Sequence, residues 1–302
     1  MSTRANPAAA VPPWGLALTA MVSVQLGSAL SVHVISRVGP AGTAWLRLSV
    51  GALVFLSLNR PPLRSIRRRD LPALVGLGAT TGLQTTVFLA AIQRIPLGTA
   101  VAVEFLGPVT VAAVRSHSAR ALARPAIALA GVAMLTQPWQ GEMNPVGIGF
   151  AALAAVGWAL YIVLTQQVGD RFSGMSGLSF TVPVAAITAA IFGIPEVAGN
   201  LSLGTFAAAA GLAVLLPVLP YALELLALRR LTAHAFGTLM ALEPAIAVVL
   251  GLVVLHQRPS INQGVGVVLV VLGGAAAQRS RRRTGITDTA GTGAHSELDL
   301  IG

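Results

Sequence analysis

The 302-residue chain has no cysteine and no lysine, few aromatic residues (5%) and little charge of any kind (10%). Without cysteine there is no disulfide framework, no thiolate metal ligand and no cysteine nucleophile. Also missing are an HExxH pair, a GxxxxGK[ST] loop, a Gly-rich dinucleotide fingerprint following a strand and an aspartate-rich prenyl-diphosphate motif. No metal, no cofactor and no enzymatic activity are therefore expected. What the chain has in abundance is apolar surface: 55% hydrophobic residues and a mean hydropathy of +0.78, values that exclude an ordinary soluble domain.

Apolar runs of about 20 residues, long enough at 1.5 Å per residue to cross a roughly 30 Å hydrocarbon core, recur along the sequence. Ten are expected, at 14–34, 41–58, 72–92, 97–114, 122–138, 146–167, 175–194, 204–227, 233–255 and 261–278. Arg4 ahead of the first run gives it the look of a signal peptide. Nine further runs follow, however, and no small-x-small cleavage site closes it, so it reads as a retained helix. Outer-membrane strands would be shorter and would alternate polar with apolar residues, so the spans are helices.

All 20 basic residues are arginine, and a net charge of +10 raises the question of nucleic acid. Their placement answers it. With the N-terminus in the cytoplasm, the inner segments hold Arg4, Arg60, Arg64, Arg67, Arg68, Arg69, Arg115, Arg120, Arg124, Arg171, Arg229, Arg230, Arg279, Arg281, Arg282 and Arg283. The outer loops hold only Arg37, Arg94 and Arg258, and Arg47 lies within the second span. This is the positive-inside pattern, with both termini cytoplasmic and the "RSIRRRD" run at 64–70 serving as a topogenic loop rather than a nucleic-acid or lipid site.

Two stretches resemble each other, "AIQRIPLGTAVAVEFLGPVTVAAV" from Ala91 and "ALRRLTAHAFGTLMALEPAIAVVL" from Ala227, aligning Pro108 with Pro244 and Arg94 with Arg230. Five spans per half, an odd number, insert the second copy upside down, and the arginines agree: Arg94 falls outside and Arg230 inside. Inverted repeats of this kind typify secondary transporters, whose substrate site lies near the midplane between the halves.

Within the spans, ionisable residues are the exceptions that need explaining. Glu104 sits in "RIPLGTAVAVEFLGP", thirteen of whose fifteen residues are uncharged. A charge at the centre of a membrane helix costs about 2.5–3.5 kcal/mol on insertion scales, so it faces a partner or a wet cavity. Its candidate company is Arg47, Gln25, His33, Gln84, Glu224 and Glu243. Glu104 and Arg47 suit either a structural ion pair or recognition of a zwitterion, since both uses need the same groups. Glu224 in "LPYALELL" is placed either to pair with Arg229 or Arg230 or to face a cavity; Glu243 precedes Pro244, at a helix interruption. Trp158 and Tyr161 in "GWALYIVLTQQ" suit packing or cavity lining, His33 and His234 fall near helix ends, and Gly78-x-x-x-Gly82 marks a close helix contact.

With these residues in view, the chain resembles the drug/metabolite transporter superfamily, specifically the EamA-type ten-helix carriers and their threonine/homoserine exporter branch, from about Val22 to Gln278. The resemblance is carried by "RIPLGTAVAVEFLGP" (94–108), "LPYALELLAL" (219–228) and "FGTLMALEPA" (236–245). Further support comes from "SVQLGSAL" (23–30), "LRL" (46–48) and "GWALYIV" (157–163). It implies that Glu104, Tyr221, Glu224 and Glu243 occupy the family's recurrent polar positions with Arg47 opposite, and it implies proton-driven efflux of small amino acids or related metabolites. The chain departs from the family pattern at "LHQRPS" (255–260), where many relatives carry a Gly-Glu pair, and at "LSVHVI" (30–35), which lacks a basic residue.

The expectation is an all-α integral membrane protein of ten transmembrane helices in two inverted five-helix EamA repeats. Residues 1–13 form a cytoplasmic tail, 14–138 and 146–279 the two repeats, and 280–302 a disordered cytoplasmic tail. In the bacterial inner membrane it would export a small polar or zwitterionic metabolite by alternating access, with membrane lipids and no nucleic acid as partners. Glu104 would bind the ammonium or a proton, Arg47 the carboxylate, and Glu243 would share the proton role; Gln25, Gln84, Trp158, Tyr161, Tyr221 and Glu224 would line the site. The alternatives are an exporter of drug-like or cationic compounds, which calls for more aromatics, and a membrane enzyme on lipid-linked substrates, which calls for a clustered acid, base or metal constellation.

Overall fold

The computed structural model describes residues 12–58, 68–114, 123–137, 140, 143–169 and 175–279. Most of the two expected tails, together with Arg60, Arg64, Arg67, Arg115, Arg120 and Arg171, lies outside the described residues. The described chain is helical throughout, with no strand: α1 (Pro13–Leu58), α2 (Leu71–Ile92), α3 (Leu97–Glu104), α4 (Leu106–Val114), α5 (Ala123–Thr136), α6 (Pro145–Gly169), α7 (Met175–Val197), α8 (Leu203–Ala213), α9 (Leu219–Leu228), α10 (Ala233–Met240), α11 (Glu243–Leu255) and α12 (Ile261–Arg279). By length and composition seven segments suffice to cross a membrane, and two shorter apolar helices, Pro125–Thr136 and Ile261–Ala276, accompany them.

The places where helices break follow from proline. Pro108 has no N–H to give the carbonyl of Glu104, and α3 ends at Glu104; Pro244 likewise leaves the carbonyl of Met240, where α10 ends. In the alignment that sets Pro108 against Pro244, Leu97 falls against Ala233 and Glu104 against Met240, so the two short helices start and stop at matching positions. Pro217 does the same at Ala213, the last residue of α8, and Pro220 frees Leu216, whose backbone is extended (φ −161°, ψ 110°). Between α8 and α9 the chain therefore runs through a wide π-helical turn, Val214–Val218.

Helix starts are satisfied locally. Ser202 and Thr232 cap α8 and α10 through Thr205 N (3.1 Å) and Ala235 N (3.2 Å), and Asn144 Oδ1 accepts from Val146 N and Gly147 N at the start of α6. Ser260 and Gln263 form a reciprocal capping box on α12, with Gln263 N donating to Ser260 Oγ (3.3 Å) and Ser260 N to Gln263 Oε1 (2.9 Å).

Packing relies on small residues, as expected where lipid competes for apolar surface. Gly78 and Gly82 lay α2 against Thr181, Val184 and Ala185 of α7. Gly131 and Gly266 bring the backbones of α5 and α12 together, each facing the other's carbonyl. The core is Ala-, Val- and Leu-rich, with Phe55, Leu89, Leu97, Phe105 and Leu135 fully buried.

At 46 residues, roughly 70 Å of helix, α1 is more than twice the thickness of a bilayer core and bends at Val38–Gly39. Gly39 has φ +71°, and a Cβ there would collide with the Glu196 carboxylate. Glu196 accepts from Gly42 N (3.0 Å), so an acid at the end of α7 satisfies a helix start that Pro40 opens. Gly39→Ala is expected to cost at least the roughly 1–2 kcal/mol of a forced left-handed residue. It should lower the Tm of the detergent-solubilised protein, and an unchanged Tm would refute this account of the bend.

Candidate functional site

A cavity of about 340 Å³ opens inside the bundle where α1, α2, the α3–α4 break, α6, the π turn with α9, and the α10–α11 break converge. The nine residues assigned to the site from sequence line it: Gln25, Arg47, Gln84, Glu104, Trp158, Tyr161, Tyr221, Glu224 and Glu243. Arg47 (3% exposed), Glu243 (4%) and Glu104 (8%) are among the few buried charged side chains of a largely apolar interior.

The two groups weighed as an ion pair hold separate partners. Glu104 Oε1 accepts from Gln84 Nε2 (3.0 Å), and Arg47 donates through an Nη to Ser31 Oγ (3.3 Å), whose own hydroxyl donates to the carbonyl of Gly27 (2.7 Å). Among the described residues no salt bridge joins Arg47 to Glu104. Arg47 Nε and Gln25 Oε1 are buried with no hydrogen-bond partner there, so the guanidinium keeps unused donor capacity in the cavity wall. Glu224 and Glu243 line the same space from the second half of the chain. Trp158 and Tyr221 both line the cavity and pack, edge-on to Phe105 (6.0 Å between centroids) and Phe55 (5.9 Å) respectively.

Neither His33 nor His256 lines the cavity. His33 is exposed and outside the cavity lining, and His256 is the left-handed cap of α11 (φ +55°); the side chain of His234 is not among those described. Sequence reasoning missed Val24, Ser28, Thr81, Thr85, Phe88, Leu216, Pro217, Pro220, Phe236 and Met240 of the lining, and Ser31 behind Arg47. Helical periodicity was the available signal: Ser28 follows Gln25 by three, and Thr81, Gln84, Thr85 and Phe88 share one face of α2. Ser31 gave none, because its role depends on a residue in the other arm of α1.

A second cavity of about 470 Å³ with a partly polar lining lies at one end of the bundle, where Arg94, Pro96, Gln137, Gln140, Asn144, Gln257, Ser260 and Gln263 meet. Here the halves are tied: Leu97 N donates to Gln257 Oε1 (3.1 Å), Gln137 Nε2 to Ser260 Oγ (3.1 Å) and Gln263 Nε2 to the carbonyl of Leu135 (3.3 Å). Beside them Gly98 packs on Val248, and the Arg94 guanidinium stands 5.1 Å from the Phe150 ring centroid.

Many apolar helices around an interior cavity that gathers three of the four buried charged side chains described make this a multi-pass membrane protein of the kind that handles small polar solutes. The profile of the EamA-like transporter family matches residues 145–276. The threonine/homoserine exporter RhtA of Salmonella typhimurium is 36% identical over 80% of this chain and 82% of its own length, and the threonine/homoserine exporter RhtA of Escherichia coli K12 is 33% identical over 81% and 84%. The chain belongs to the EamA-like transporter family. A solved crystal structure with 20% identity, covering 89% of this chain and 98% of its own, superposes with a TM-score of 0.58, a likeness of fold.

Removing the acceptor behind Arg47 leaves a buried guanidinium short of a partner. Ser31→Ala is therefore expected to lower stability by about 1–3 kcal/mol, read as a fall in Tm in detergent; an unaltered Tm would show that Ser31 does not hold the arginine.

Proposed function

We propose that this protein is a secondary exporter of small amino acids of the threonine/homoserine kind, working by alternating access between two inverted five-helix repeats, residues 14–138 and 146–279. The observation that carries the reading is the cavity: one guanidinium and three carboxylates, drawn from both halves, face a common space in an interior otherwise almost free of charge. The names of the 33–36% identical relatives support the choice of substrate. Ten passes follow if bent α1 counts as two of them and the two shorter apolar helices are added to the remaining six. Both termini are assigned to the cytoplasm of a bacterial inner membrane on the arginine distribution.

In this reading Arg47 takes the substrate carboxylate, using its Nε, which has no hydrogen-bond partner among the described residues, and Glu104 takes the ammonium or a proton. Glu243 shares the proton role, and Gln25, Gln84, Trp158, Tyr161, Tyr221 and Glu224 shape the pocket. Reconstituted in loaded proteoliposomes, the parent chain should release radiolabelled threonine or homoserine. Glu104→Gln and Arg47→Gln should each lower that flux at least about tenfold, the equivalent of about 1.4 kcal/mol. Undiminished flux in both variants would remove the cavity from the mechanism.

The ties between Leu97 and Gln257 and between Gln137 and Ser260 lie at the end assigned to the outside, and they fit an external gate that is shut while the central cavity communicates with the cytoplasm. With no native cysteine, a cysteine at Thr85 in the cavity is a clean reporter. It should react with a membrane-impermeant thiol reagent from the cytoplasmic side. Adding Gln257→Ala should speed its reaction from the outside; faster labelling from the inside only would reverse the orientation or the gate.

A further inference from the structure

The two sides of the central cavity are not balanced in charge. Residues from α1, α2 and α3 supply both signs, Arg47 and Glu104, each already oriented by a neighbour, Ser31 and Gln84. A monoamino monocarboxylic acid placed between them has both of its charges answered. The side built by α9 and α11 adds Glu224 and Glu243 and no cation, since Arg47 is the one cationic side chain among the described residues lining the cavity. Glu243 is 4% exposed, faces the cavity and takes part in no hydrogen bond among the described residues, while standing in the electrostatic reach of both Glu104 and Glu224.

Like charges left uncompensated in a low-dielectric interior cost several kcal/mol, so something cationic must accompany this pair when both are ionised. The carboxylates do not form a group of three that could hold one metal ion; a ligand that carries cationic groups at separate points answers them one by one. At about 340 Å³ the cavity is at the small end of the roughly 300–1,000 Å³ usual for ligand sites. Tyr161, Tyr221 and Phe236 line the same region, and aromatic faces favour an ammonium.

We infer that the cavity also takes diamino monocarboxylic acids, of the lysine or ornithine kind, with the α-carboxylate on Arg47, the α-ammonium on Glu104 and the distal ammonium between Glu224 and Glu243. The inference rests on the amino-acid exporter reading and extends its substrate class. For a monoamino substrate the second pair is neutralised by protons alone; for a diamino substrate the distal amine takes that place.

The test measures radiolabelled lysine and radiolabelled threonine in parallel proteoliposomes bearing the full chain, together with inhibition of threonine flux by unlabelled lysine. Both amino acids should move in the parent, and lysine should compete with threonine. The ratio of lysine flux to threonine flux should fall about tenfold in Glu224→Gln, a selective loss of about 1.4 kcal/mol, and recover in Glu224→Asp. Arg47→Gln should lower both fluxes. Threonine flux without lysine flux or competition overturns this inference and leaves the exporter reading intact; absence of both overturns the two together. A proportional loss of both fluxes in Glu224→Gln overturns the distal-amine assignment. Should that variant fail to give a monodisperse size-exclusion peak, Glu243→Gln is read by the same ratio.

Discussion

Inside a bilayer, a charged or polar group that no protein atom and no water can reach has nowhere to place its hydrogen bonds. That constraint organises this molecule. Arg47, Glu104 and Glu243 are each less than 9% exposed, yet all three lie on the wall of one cavity, and the first two are held by short-range partners, Ser31 and Gln84. The surfaces turned outward carry Leu, Ile, Val and Phe instead, as at Ile187, Ile191 and Phe192 of α7. Concentrating these charges on one wall satisfies the bilayer on one side and leaves a charged cavity lining on the other.

Proline supplies the geometry that the cavity needs. Pro108 and Pro244 stop α3 and α10 at matching positions, and beside those breaks stand Glu104 and Glu243. A continuous helix would bury its carbonyls in its own ladder; the interruptions free polar backbone at the depth where the carboxylates sit. The match is not complete. The second half has an additional bend at Pro217 and Pro220, so that Leu216, Pro217, Pro220 and Tyr221 line the cavity, whereas α2 is unbroken and presents Thr81, Gln84 and Thr85 from one face. The two halves of the chain thus give chemically different walls, and that difference underlies the charge imbalance at Glu224 and Glu243.

The opposite end of the bundle has another character. His256 turns α11 off in a left-handed conformation, and Gln257 reaches back to the start of α3. An amide there makes a neutral tie between the halves that costs little to break, since both partners can turn to water. In the proposed exporter, such a contact would bias one state and still allow exchange.

Composition and run length were enough for a helical membrane protein, because a hydrocarbon slab of fixed thickness demands apolar segments of fixed length. The outer ends of the expected spans fall within a few residues of helix ends, but 14–34 and 41–58 belong to one bent helix and 97–114, 204–227 and 233–255 are each interrupted. Prolines and isolated carboxylates were legible for a related reason: each violates the apolar helical pattern, so each marks an interruption or an interior face. The tertiary structure alone decided which of those residues share one space. Glu104 and Arg47 looked like natural partners in sequence, yet each is held by a neutral side chain, and Ser31 became visible only once the bend at Gly39 folded the two arms of α1 together. Hydrogen-bond partners are fixed by separations of about 3 Å across helices far apart in the chain, and no one-dimensional pattern encodes that proximity.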